Sequence, residues 1–422
     1  MQNFSPSWYQ ENFQYLWYPY AQMQTMMPPL PVVSAQGVRI NLGDGRSLID
    51  GISSWWSVCH GYQHPHIVEE MQKQLGKISH VMFAGIAHEG AYILAQRLCK
   101  LARLEKIFFT DSGSTAIETA MKIAVQYWRN NGHKYRNKFV CFQNGYHGDT
   151  MGAMSLSDQT GGLYKFAHAY MPEQYSIPIP ADEYAFAEFD SLLAAMARSV
   201  AAVVIEPLVQ GAGGMRFHTA DVLAEISRIT KKHGLLLIAD EVMTGFYRTG
   251  NLFAHQEAGI LPDILCVGKA LTGGMIGMAA ALTTQQVYDA FLGESLDLAL
   301  MSGPTFMANP LACAAANASL DLFEREPRSK QVEKIEKILH EELSPCLQYK
   351  NIIDVRVKGA IAVVQCEGLN WQKIQALRAK AQELGVWLRP FSDVIYVMPP
   401  FVISEEDLRL LCGVVRELAS GV

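Results

Sequence analysis

Three short apolar runs, each ending on a polar residue able to do chemistry, constrain this chain more than any other feature. Ala201-Ala202-Val203-Val204-Ile205 leads into Glu206, Leu235-Leu236-Leu237-Ile238-Ala239 into Asp240-Glu241, and Ile264-Leu265-Cys266-Val267 into Gly268-Lys269. Unbroken runs of this length suit strands buried on both faces, as in a parallel sheet held between helices. Between the first two runs, Thr219 is placed to cap a helix in which Val222, Leu223, Ile226 and Ile229 share a stripe. Lys231, Lys232 and His233 fill its last turn and Gly234 stands at its stop. Strand, helix, strand at about 30 residues per unit is the βαβ pattern.

The same pattern extends upstream. Lys106-Ile107-Phe108-Phe109 reads as a strand running into Thr110-Asp111-Ser112-Gly113-Ser114, followed by an amphipathic helix through Trp128. The next strand covers 138–142 and ends at Gln143-Asn144-Gly145-Tyr146-His147-Gly148. Open α/β sheets bind ligands beyond the carboxyl ends of their strands. Residues 112–114, Tyr146, Glu206, Asp240 and Lys269 are therefore expected along one edge. The last hundred or so residues change texture: a charged amphipathic helix over 332–343, then strand-like segments at 354–364 and 394–398. The predicted organisation is an N-terminal segment, 1–55, joined to a small C-terminal α/β domain, 311–422, around a large domain, 56–310.

Composition narrows the function classes. The 422 residues carry 35 Lys+Arg against 41 Asp+Glu, a formal net charge of −6, which argues against a nucleic-acid or anionic-membrane partner. The eight cysteines stand singly with no C-x-x-C pair, so buried reduced thiols and a cytoplasmic location are expected. Residues 1–20 hold neither a basic stretch nor an apolar run, which predicts no secretory leader there. The longest uncharged tract includes Gly273, Gly274 and Thr283 to Gln286, and reads as a small-residue core segment, not a membrane span. Cys59-His60, His64 and His66 are read as the loop entering a helix, and no metal is expected.

The familiar nucleotide and hydrolase motifs are missing. No G-x-G-x-x-G lies between strand and helix, Gly268-Lys269 lacks P-loop spacing, and Gly211-Ala212-Gly213-Gly214 opens no helix pattern. Four other features agree on pyridoxal 5'-phosphate. Ser112-Gly113-Ser114 opens a helix whose backbone N–H groups suit a phosphate. Asp240 at a strand end can keep a pyridinium nitrogen protonated, and Lys269 one strand on can form the Schiff base. Tyr146 offers a flat ring to stack on the pyridine.

Longer motifs then carry a resemblance. Leu236 to Phe246, with Asp240-Glu241-Val242-Met243-Thr244-Gly245 at its centre and Arg248-Thr249-Gly250 after it, resembles the signature of class III aminotransferases. Asn144 to Gly148, and Pro262-Asp263-Ile264 ahead of Gly268 to Gly274, are similar to the same family. Asp50-Gly51, Ser53-Ser54-Trp55-Trp56, His60-Gly61-Tyr62, the run from Gly303-Pro304-Thr305 to Ala312, and Trp387-Leu388-Arg389-Pro390-Phe391 resemble its adenosylmethionine-using, biotin-forming branch. Ser302 and Tyr247 depart from that pattern, where His and Gly are expected.

The resemblance implies a type I aminotransferase fold, an α/β architecture acting as a homodimer with shared sites. It implies Gly113 and Ser114 on the phosphate, with Pro304 and Thr305 reaching over from the second subunit. It also implies Asp240 on the ring nitrogen and Lys269 as the covalent lysine. Tyr20, Trp55, Tyr146, Lys269, Gly303 and Arg389 would meet the substrates, S-adenosylmethionine and 8-amino-7-oxononanoate. A lysine-using enzyme of the same step and an ω-amino-acid transaminase are the alternatives.

Overall fold

The fold is described from a computed structural model covering residues 6–157 and 168–422. It divides into two compact units: residues up to His64 with Lys334–Val422, and Pro65–Glu333. The sequence reading put the divisions at 55 and 310. Helix Pro310–Arg325 instead packs on Pro65–Leu75 and Glu89–Ala102, which keeps it with the larger unit.

The larger unit is built on a seven-stranded sheet: β1 (Lys106–Thr110), β2 (Lys138–Phe142), β3 (Tyr175–Ile177), β4 (Val200–Ile205), β5 (Leu236–Glu241), β6 (Ile264–Val267) and β7 (Ala279–Thr283). Their spatial order is β1-β7-β6-β5-β4-β2-β3. β7 runs antiparallel to both neighbours, β1 and β6, and the remaining pairings are parallel. Reversing one strand between β1 and β6 leaves those two pointing the same way. The carboxyl ends of β1, β2, β4, β5 and β6 therefore share one edge. Every residue of β4, β5, β6 and β7 is buried, as unbroken apolar runs require.

Helix α1 (Gly113–Asn130) starts where Ser112 Oγ accepts the Thr115 N–H and Thr115 Oγ1 accepts the Ser112 N–H, a reciprocal cap. Ala116, Ile117, Ala120, Ile123, Ala124 and Tyr127 bury one stripe of it against β6 and β7. Cutting the fully buried Ile117 to Ala would cost about 2–5 kcal/mol of that contact. Helix α2 (Ala220–Lys232) is capped by Thr219 Oγ1 and stops at Gly234, whose φ is +61°.

The smaller unit has an antiparallel Val32–Gln36, Arg39–Leu42, Ser47–Asp50 sheet extended by Val386–Trp387. A second antiparallel sheet joins Ile352–Lys358, Ile361–Cys366 and Val394–Val397. The segment 354–364, read from sequence as strand-like throughout, is a hairpin. Gly359, at φ +54°, supplies the left-handed residue its two-residue turn needs. The eight cysteines form no disulfide with one another, and all but Cys99 are buried. Among the described residues, no helix is long and apolar enough to cross a membrane.

Candidate active site

The shared strand edge gathers His147, Glu206, Asp240 and Lys269. Register aligns Asp240 with Cys266 and Glu241 with Val267, so Lys269 lies just past the end of β6, beside the end of β5. Lys269 opens a single 3-10 turn, Lys269–Thr272, at φ +44°. A non-glycine residue held in that left-handed region costs roughly 1–3 kcal/mol, and such strain gathers at functional sites. Burial pushes the Lys269 amine below the ordinary lysine value, while the charges of Asp240, Glu206 and Asp149 pull the other way. Its neutral, nucleophilic form is thereby favoured over that of a surface lysine.

Asp240 is buried, and its carboxylate is oriented by two donors. Oδ1 accepts the Val242 N–H at 3.1 Å, and Oδ2 meets His147 Nδ1 at 2.7 Å. Burial lowers the His147 pKa, but the Asp240 hydrogen bond and charge, with Glu206, leave it raised overall. Glu206, just past β4, accepts the Tyr146 N–H on Oε1 and the Gly211 N–H on Oε2, both at 2.9 Å. Burial, with the Asp240 charge adding, pushes its carboxyl up to about 7. Glu206 thus fixes the backbone of Tyr146, whose hydroxyl donates to Asp149 Oδ1 at 2.9 Å.

Close backbone approaches complete this edge. A Cβ on Gly113 would fall 2.6 Å from Val242 Cγ1, so the first turn of α1 is drawn tight to the end of β5. Its N–H groups have no intrahelical acceptor, the ordinary state of a first turn. Ser114 Oγ donates to Thr150 Oγ1 at 2.8 Å and accepts the Thr150 N–H at 2.9 Å. A Cβ on Gly213 would sit 1.6 Å from the Asn144 carbonyl oxygen. The glycine-rich turn that matches no nucleotide motif is therefore where the Asn144–Tyr146 loop passes. Gly303 and Thr305 are exposed and Pro304 half-buried on the segment before Pro310–Arg325, next to the exposed Phe306.

A second cluster belongs wholly to the smaller unit. Tyr20, Trp55 and Arg389 line one cavity of about 290 Å³. The Arg389 guanidinium lies 4.4 Å over the Trp55 ring, and Tyr20 meets the same ring edge-on at 5.8 Å. Asp50 holds the turn that presents Trp55. This buried carboxylate accepts the Ile52 N–H at 3.0 Å, the Ser54 N–H at 2.5 Å and the Tyr62 hydroxyl at 2.7 Å. Ser53, Ser54 and Trp56 all have positive φ, and the Trp56 indole N–H donates to Tyr396 at 3.2 Å.

The structure thus brings together Gly113, Ser114, Tyr146, Asp240 and Lys269 in one unit, and Tyr20, Trp55 and Arg389 in the other. His147 and Asp50 were quoted in the sequence motifs without a role. His147 follows directly on Tyr146, and that adjacency was the available signal.

Residues 20–418 match the class-III aminotransferase family model. The chain is a class-III aminotransferase. It is 41% identical over 413 residues to the adenosylmethionine-8-amino-7-oxononanoate aminotransferase of Buchnera aphidicola subsp. Schizaphis graminum, covering 96% of this chain and 94% of that one. The solved structure of the adenosylmethionine-8-amino-7-oxononanoate aminotransferase of Methanocaldococcus jannaschii DSM 2661 superposes with TM-score 0.92 at 30% identity, covering 98% of each chain. An amine transaminase from an uncultivated Pseudomonas species, solved in its PLP-bound form, gives TM-score 0.90 at 30% identity, covering 96% of this chain and 98% of that one. In this aminotransferase the unusual Tyr247 adopts φ +68°, the conformation a glycine would take without strain, and packs on Phe323 at 5.9 Å.

Proposed function

We propose that this chain transfers the amino group of S-adenosylmethionine to 8-amino-7-oxononanoate, giving 7,8-diaminononanoate, with pyridoxal 5'-phosphate as cofactor in the cytoplasm. The observation that carries the chemistry is Lys269 with its depressed pKa at a strand end beside the oriented carboxylate of Asp240. The residues present fit the cofactor. The α1 first turn, with Gly113 and Ser114, offers backbone N–H donors to a phosphate. Asp240, whose two oxygens are fixed by Val242 and His147, would keep a pyridine nitrogen protonated. Tyr146 would stack on the ring, and Lys269 Nζ would hold the cofactor covalently.

Bound there, the cofactor supplies an electron sink that makes the donor's Cα–H acidic. Lys269 Nζ would be the base that takes the proton from the donor's Cα and gives it back on the cofactor side of the same C–N unit. The same base runs the reverse sequence for the keto substrate. Tyr20 and Trp55 supply aromatic surface to a sulfonium, a cation that cannot shed its charge by losing a proton. The planar fork of Arg389 suits the terminal carboxylate of the acceptor.

The exposed Met82, Ile86, Tyr92, Met301 and Phe306 of the larger unit support packing against a second copy. In that homodimer Gly303 would meet substrate, and Pro304 and Thr305 would reach the partner's phosphate. Single-turnover absorbance with adenosylmethionine, lysine and alanine in turn, followed by product analysis, tests the donor. Adenosylmethionine should discharge the cofactor band and yield 7,8-diaminononanoate; reaction with lysine alone would move the assignment to the lysine-using enzyme.

A further inference from the structure

The smaller unit contains seven arginines, and five of them reach a carboxylate: Arg39 Asp407, Arg46 Asp44, Arg356 Asp354, and Arg409 and Arg416 both Glu342. The other two, Arg378 and Arg389, line the same 290 Å³ cavity, and among the described residues that line it there is no Asp or Glu. Arg378 projects from helix Trp371–Glu383, and its Nε and Nη2 both donate to the Pro390 carbonyl, at 3.2 and 2.8 Å. Nη1 reaches Gln375 Oε1 at 3.5 Å. This guanidinium therefore clamps the backbone one residue beyond Arg389, at the Pro390–Phe391 peptide, with no carboxylate among its hydrogen-bond partners. Burial and the neighbouring charge of Arg389 bring the Arg378 pKa down to about 10. Two cations held together without an acid are a standing electrostatic cost that an incoming anion relieves. The cavity walls between them are apolar, including Met26, Met27, Leu30 and Trp387.

We propose that Arg378 is a positioning and specificity-determining residue, which fixes Arg389 through Pro390 and, by its charge, reserves this cavity for a carboxylate at the end of an aliphatic chain. This rests on the reading that the acceptor's carboxylate meets Arg389, and names a second residue on which that recognition depends. Arg378 spends its best-aligned donors on the protein backbone, so it acts by fixing the neighbouring arginine and by field.

The test is binding of nonanoate and of nonanamide to the holoenzyme, measured by calorimetry at two salt concentrations. Arg378→Gln should weaken nonanoate roughly tenfold, leave nonanamide within about twofold, and flatten the salt dependence of nonanoate binding. Arg378→Lys keeps the charge without the planar fork and should recover part of the loss. Equal weakening of both probes, an unchanged nonanoate affinity, or no saturable nonanoate binding to the wild type would each overturn the proposal. Neither probe carries a keto group, so the result is independent of turnover. Arg378-dependent nonanoate binding in an enzyme inactive on the keto acid would sink the proposed reaction and leave this inference standing.

Discussion

His147 Nδ1 and Asp240 Oδ2 lie 2.7 Å apart, both buried, at the carboxyl edge of the central sheet. With the Val242 N–H on Oδ1, that contact leaves the carboxylate little freedom to turn. The aspartate supplies the charge and the histidine supplies its aim.

The two residues should accordingly differ in kind when replaced. Asp240→Asn removes the charge we propose keeps a pyridine nitrogen protonated, and the donor half-reaction should slow by at least about a hundredfold. His147→Asn places an amide nitrogen near the Nδ1 position, retains a donor to Asp240 and should cost nearer tenfold. Stopped-flow rates for both variants decide the matter, and a larger loss in the histidine variant would contradict this ordering.

Lys269→Ala should still take up pyridoxal phosphate through the α1 end but hold it without a covalent bond. Borohydride reduction should then fix no cofactor to the protein, and turnover should fall by several orders of magnitude. The cofactor-free variant should also resist urea better than the wild type near neutral pH. The depressed Lys269 pKa means the unfolded chain binds that proton more tightly, so folding around the ammonium is a cost.

Glu206 gives a pH signature of the opposite sense. Its carboxyl is raised to about 7, so the folded state binds the proton more tightly than the unfolded one. That contribution is complete below the ordinary value of 4.5 and is lost as pH rises through 7. The raised His147 loses stability in the same direction. Urea midpoints of the cofactor-free protein should therefore drop between pH 5 and 8, by an amount on the order of 2–3 kcal/mol. Glu206→Gln should flatten that slope, though lower overall, because an amide nitrogen cannot accept the Gly211 or Tyr146 N–H. An unchanged slope in the variant would show that the proton sits elsewhere.

Asp50 should matter for the Trp55 turn before it matters for anything else. Asp50→Asn sets an NH2 against a backbone donor, stranding the Ser54 N–H in one amide orientation and the Ile52 N–H in the other, at about 1–3 kcal/mol. Tyr62→Phe removes one donor cleanly and should cost about 1 kcal/mol. In a Trp55→Ala background, the effect of Asp50→Asn on substrate KM should shrink while its effect on the denaturation midpoint persists. A KM effect of the same size in both backgrounds would separate Asp50 from the tryptophan.

Much of this was legible in the residue string. Ile264–Val267 and Lys138–Phe142 fall on the segments read as strands, because a doubly buried strand has no polar position to blur its ends. β7 was hidden: Ala279-Ala280-Ala281 has little strand preference of its own, and its extended form comes from pairing on both sides. Lys269 and Asp240 stood out through their places after apolar runs. Arg378 could not, since its meaning lies in the acid missing from around it, assembled from segments near 20, 55 and 389.

The 1.6 Å that separates a would-be Gly213 Cβ from the Asn144 oxygen has a consequence for the mutational history open to this protein. Gly213 carries no side chain for chemistry, yet any other residue there must push the Asn144–Tyr146 loop off its seat. Variation can reshape the cavity lined by Tyr20, Trp55 and Arg389 freely by comparison. The parts of the enzyme least able to drift include an atom that was never there.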